Sequence, residues 1–145
     1  MKGYHYTESG LGNVWLANGF EQRATRYGKG IAIHDVAGLH RLIGKELARK
    51  AALTGAELRF LRKEMDLSQS GLGALLGVSD QAVAKWEKTG HIPKTADRMV
   101  RLIYLEHIGG NVHIRHTIED ISNTDREAEN SMIAEAAPEG WKLAA

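Results

Sequence analysis

Residues 69–88 read QSGLGALLGVSDQAVAKWEK, and the apolar and small residues in this run are spaced for two short helices that cross steeply. Leu72, Leu76, Val78, Val83 and Trp86 fall where such a pair must turn apolar side chains inward. Gly73 falls where the second helix passes closest and a large side chain would hold the helices apart. Gly77 falls at the turn, where a positive φ is needed that glycine adopts at little cost. Ser68 and Ser79 each stand one residue before a helix, placed to accept a hydrogen bond from a free N–H of its opening turn. An αα-hairpin in some unrelated helical core would need the apolar spacing but not both small positions and both caps. The run therefore predicts a helix-turn-helix.

Working outward, Thr54 and Glu57 form a Thr-x-x-Glu capping box that opens an earlier helix, with Leu58, Leu61 and Met65 on its buried side, and Asp66-Leu67-Ser68 is a short connection. Downstream, TGHIPK (89–94) reads as a loop, and Pro93 precedes a helix expected to be capped by Thr95 and to run through Met99, Leu102, Ile103 and Leu105. Upstream, Asp35 to Ala52 has helical periodicity, with Asp35 as N-cap, Val36, Leu39, Leu42, Ile43 and Leu47 on one stripe, and Arg41, Lys45, Arg49 and Lys50 mostly opposite. The first thirty residues are rich in glycine and aromatics. NVWLANGF (13–20) and KGIAIHDV (29–36) have β character, which suggests two or three short strands in one small antiparallel sheet. So small a sheet must pack on the helices or pair across its edge, either with a second copy or with a partner protein. Beyond Gly109-Gly110, residues 111–122 suit an amphipathic helix on Val112, Ile114, Ile118 and Ile121, either a dimer contact or packed on its own domain. Residues 123–145 read as an acidic, mostly flexible tail that Trp141 anchors.

A chain of 145 residues with 43% hydrophobic content suits one domain with extensions. It has no apolar run of the roughly 18 residues that would span a membrane, and MKGYHYTESG has no hydrophobic signal core. The absence of cysteine excludes a disulfide framework and a thiolate zinc site, and it suits a cytoplasmic location. The net charge of +1 conceals a gradient: residues 1–53 carry +4, residues 54–108 +1 and residues 109–145 −4. Nothing so nearly neutral announces nucleic acid by composition. That expectation rests on the motif.

The run LTGAELRFLRKEMDLSQSGLGALLGVSDQAVAKWEKTGHIP (53–93) resembles the DNA-binding domain of the phage-repressor, Cro and Xre-like family, with LSQ at 67–69, LGVS at 76–79 and WEK at 86–88 in the characteristic positions. The resemblance covers 54 to about 108. It implies a mainly α fold, a four- to five-helix repressor-like helix-turn-helix domain preceded by a small glycine-rich, β-containing N-terminal part. The divisions are 1–53, 54–122 and 123–145. The layout is also similar to MqsA-like and HigA-like antitoxins, although MqsA-type N-terminal parts carry a four-cysteine zinc site that this chain lacks. The expected function is a sequence-specific DNA-binding transcriptional regulator, a homodimeric repressor on double-stranded DNA. The alternative is an antitoxin that binds a toxin through its N-terminal part and autoregulates its operon.

In such a unit the second helix, 79–88, enters the major groove. With Val83 and Trp86 turned inward, Asp80, Gln81, Ala84 and Lys85 face base edges. Gln81 suits adenine, Lys85 guanine and Ala84 a thymine methyl, whereas Asp80 can accept from cytosine but repels phosphate. Ser68, Gln69, Ser79, Lys88, Thr89 and Lys94 are the expected phosphate contacts. The resemblance places Gln69 near a phosphate and implies a salt bridge from Glu87 to the first helix of the domain, at Arg62, where a surface pair contributes about 0 to 1 kcal/mol. His113 and His116 lack further ligands at metal spacing, and no nucleophile elbow, Walker loop or H-E-x-x-H is present. No cofactor, metal or catalytic residue is therefore assigned.

Overall fold

The computed structural model describes residues 3–110, 115–116 and 134–143. In chain order its elements are β1 (Tyr4–His5), a 3-10 turn (Thr7–Ser9), β2 (Trp15–Leu16), β3 (Phe20–Thr25), β4 (Gly28–Ile33), α1 (Val36–Leu47), α2 (Gly55–Glu64), α3 (Gln69–Leu76), α4 (Asp80–Thr89), α5 (Lys94–Ile108), β5 (Ala134–Ala137) and β6 (Gly140–Leu143). The fold is mainly α, a helix-turn-helix domain preceded by a small strand region. Among the described residues no helix is long and apolar enough to cross a membrane.

The strands do not make one sheet. β1 pairs with β2 and β3 with β4, each pair antiparallel and separate. Within the run 13–20, expected to have β character, Gly19 at φ 78° turns the chain between β2 and β3. Tyr6, Leu11 and Leu16 are buried in one apolar core with Ile43, Leu47, Leu58 and Phe60, so the first hairpin is packed against the helices. His40 of α1 joins them across a polar seam. Its Nδ1 donates to Glu64 Oε2 (3.1 Å), and its Nε2 is hydrogen-bonded with the Tyr6 hydroxyl (2.7 Å). Burial, then the charges of Glu8 and Glu64, raise the Tyr6 pKa above its ordinary value.

Asp35 caps α1 as expected, accepting from Gly38 N (3.1 Å). The helix stops at Leu47 instead of Ala52, and the segment that follows it is held by α5. Arg101 donates to the carbonyls of Lys50 and Ala51, and Asp97, ion-paired with Arg101, accepts from Leu53 N (2.8 Å). The buried stripe is also rotated from its expected position. Val36 and Leu42 are 43% and 59% exposed, while Gly44 faces inward where a Cβ would run into the Tyr104 ring. α5 likewise starts differently from expectation. Thr95 is not its cap; Pro93 at φ −55° sets the first turn and its carbonyl accepts from Asp97 N (2.9 Å).

In the tail, residues 134–143 are described. They form an antiparallel hairpin with Ala136 opposite Trp141, and Trp141, expected as an anchor, is 78% exposed. The helix expected over 111–122 lies outside the described residues apart from Arg115 and His116.

Candidate nucleic-acid interface

α2 supplies the base on which the α3–α4 pair stands. Its capping box forms as the spacing predicts: Thr54 accepts from Glu57 N (3.2 Å) and Glu57 from Thr54 N (2.8 Å), with Lys50 closing on the Glu57 carboxylate (2.6 Å). Leu58 and Leu61 are fully buried, Met65 nearly so. At the start of α2, Gly55 lies against the end of α4, where a Cβ would run into the carbonyl of Glu87.

α3 and α4 meet as the motif requires. A Cβ on Gly73 would lie 2.6 Å from the Val78 carbonyl oxygen, so only glycine permits this crossing, and Gly77 adopts φ 73° at the turn. Ser68 caps α3 by accepting from Gly71 N (2.8 Å), and Ser79 caps α4 by accepting from Ala82 N (3.1 Å). Leu72 and Val83 are fully buried. Trp86, expected in the core, is only half-buried and forms part of an apolar recess with Leu76, Val78, Pro93 and Met99.

The three helices are locked by a buried ion pair. Arg62 Nε and Nη2 donate to the two Glu87 carboxylate oxygens (2.6 and 3.0 Å), and Arg62 Nη1 donates to the Leu67 carbonyl (2.9 Å). The side chains are 9% and 7% exposed, so the surface value expected for this pair is too small. A bidentate pair this dry is held in one geometry, and breaking it would strand a buried charge. Gln69 joins the cluster, its Nε2 donating to Glu87 Oε1 (3.2 Å). Its side-chain amide is therefore engaged within the protein, and what α3 offers an anion at that end is the unpaired backbone N–H groups of its first turn.

The remaining expected contacts sort by position. Asp80, Gln81 and Lys85 are exposed on α4, with Ala84 half-buried beside them. Asp80 Oδ1 accepts from Gln81 N (2.9 Å), so a carboxylate that disfavours phosphate also stabilises the first turn of its helix. Lys88 and Thr89 are exposed at the end of α4, where Thr89 Oγ1 donates back to the Lys85 carbonyl (2.8 Å). Gln69, Ala84 and Lys88 line one open cleft. Lys94 stands apart, as the exposed first residue of α5. Arg59 and Lys63, not assigned from the sequence, line the same cleft. Their signal was available: both sit on the outward side of α2, opposite Leu58 and Leu61.

Among the described residues no group of three or more histidines and carboxylates is placed to hold a metal ion. Comparison with curated proteins and with solved structures gives no match. The family model described as Helix-turn-helix matches residues 58–102, from the middle of α2 to the middle of α5. The chain thus carries, over less than half its length, a helix-turn-helix domain of the DNA-binding, regulatory type.

Proposed function

We propose that this protein is a cytoplasmic, sequence-specific transcriptional repressor that binds double-stranded DNA as a homodimer, with α4 in the major groove. The observation that carries the reading is the two-sidedness of α4. Val83 is sealed inside by the Gly73 crossing, while Asp80, Gln81 and Lys85 are left exposed on a helix whose pose the Arg62–Glu87 pair fixes. Base readout falls to Asp80, Gln81, Ala84 and Lys85, and phosphate contact to Ser68, Gln69, Ser79, Lys88, Thr89 and Lys94. One such unit binds weakly. Two copies on half-sites about 34 to 36 Å apart gain affinity and specificity together. Leu102 and Leu105, exposed along α5, favour a second copy on that side.

Fluorescence anisotropy on the upstream DNA and on scrambled DNA, at two salt concentrations, tests the reading. A preference of about 10³-fold or more is expected, and equal weak binding to both would refute it. Lys85→Ala is expected to cost about 1 to 3 kcal/mol and to relax one base position; a loss equal on all sequences would make Lys85 a phosphate contact.

One observation favours the antitoxin reading as an addition. Among the described residues the β3–β4 hairpin leaves both outer edges unpaired, and Tyr27 at its tip is 94% exposed, a geometry suited to accepting a partner's strand. A small toxin-like reading frame beside this one, and its capture by residues 1–53, distinguish that role from repression alone.

A further inference from the structure

The cleft beside α4 encloses about 690 Å³ and is walled from three directions: Glu8 in the N-terminal 3-10 turn, Arg59 and Lys63 on α2, and Gln69, Ala84 and Lys88 in the helix-turn-helix. Arg59 and Lys63 are four residues apart on one helix, so they share a face, and Lys88 reaches the same space from α4. All three cations are exposed. No hydrogen bond or ion pair engages any of them among the described residues. The carboxylates around them are committed elsewhere. Glu87 is held by Arg62 and Gln69, Glu64 accepts from His40, and Glu8 accepts from the Tyr4 hydroxyl. Three converging cations without partners, opening on the side of α4 that carries Ala84 and Lys88, make a seat for a phosphate.

We infer that this cleft holds a backbone phosphate of the duplex that α4 enters, with Arg59 and Lys63 adding contacts from outside the helix-turn-helix and with Glu8 and Glu64, which also line it, as opposing charges that weaken them. The inference rests on the DNA-binding reading above. The N-terminal turn then tunes affinity without touching a base, because Glu8 sets the potential that the phosphate meets. The same cation set would take a free phosphate, and the test separates the two sources.

The test uses the full chain on the DNA it prefers and follows anisotropy against salt. In the Arg59→Ala/Lys63→Ala variant the slope of log affinity against log salt is expected to shrink by up to about 0.9, the contribution of one neutralised phosphate, while the preference over scrambled DNA stays as it was. Glu8→Gln is expected to tighten binding to both DNAs several-fold at low salt, and the gain should fade as salt rises. Both variants alter exposed side chains, and a matching thermal melt confirms the fold. A double variant with the parent's slope, while Lys85→Ala still loses specificity, overturns this inference alone. Absence of any preferred DNA overturns it together with the reading it rests on. Saturable binding of inorganic phosphate that needs Arg59 and Lys63, with an unchanged DNA slope, assigns the cleft to a free phosphate and overturns the duplex contact.

Discussion

Along α2–α5 a set of inward positions is closed completely, with Leu58, Leu61, Leu72, Val83 and Val100 all at 0% exposure, whereas in the β3–β4 hairpin only Phe20, Gly30, Ile31 and Ile33 are even half-buried. The contrast follows from where each region satisfies its backbone. A helix bonds its own N–H and C=O groups and needs only to seal one stripe, which the crossings at Gly55 and Gly73 allow. A two-stranded hairpin leaves its outer edges and most of both faces to water, so it stays ordered through what it leans on. The β1–β2 hairpin lies between these extremes. It contributes Tyr6, Leu11 and Leu16 to the common core and ties itself to α1 through His40.

Three substitutions would break or sharpen that contrast. The largest effect is expected at the helix junction. Glu87→Ala removes both oxygens that Arg62 meets, leaving a buried guanidinium short of its partner, and should cost about 3 to 5 kcal/mol in denaturant unfolding. A loss under 1 kcal/mol would mean that water reaches Arg62 and that the junction is not sealed. Tyr6→Phe should cost less, about 0.5 to 1.5 kcal/mol, through the lost bond to His40. Hydrogen exchange should then quicken over residues 4–16 and not in α3 or α4; equal quickening in both would make the two regions one cooperative unit. Trp141→Ala, at 78% exposure on the β5–β6 hairpin, should change stability by no more than about 0.5 kcal/mol. A clear drop in melting temperature would show that this tryptophan is covered in solution.

Most of the helical domain was legible in the sequence because its rules are local. The capping box at Thr54 and Glu57, the caps at Ser68 and Ser79, and the glycines at 73 and 77 each act within a few residues of themselves, and each stands as expected. Where expectation failed, a residue distant in sequence had intervened. α1 ends early, and the residues after it are held by Arg101 and Asp97, some fifty positions later, which take the polar groups of residues 50–53. Its buried face is rotated because Tyr104 lies across Gly44. The Thr95 cap was misplaced for a local reason, since the proline before the helix already supplied its first-turn geometry.

The candidate site divides in the same way. The sequence alone determined which residues form the two crossing helices and which side chains of α4 face outward, because helical periodicity and two small residues suffice for that. The family resemblance implied that Glu87 has a partner on α2. Only the tertiary structure decided that this pair is buried, that the Gln69 amide is turned toward it, and that Arg59, Lys63 and Glu8 border the same cleft as Lys88. Burial and convergence depend on how separate elements are stacked, and residues from three elements meet in one space only once the core between those elements is closed.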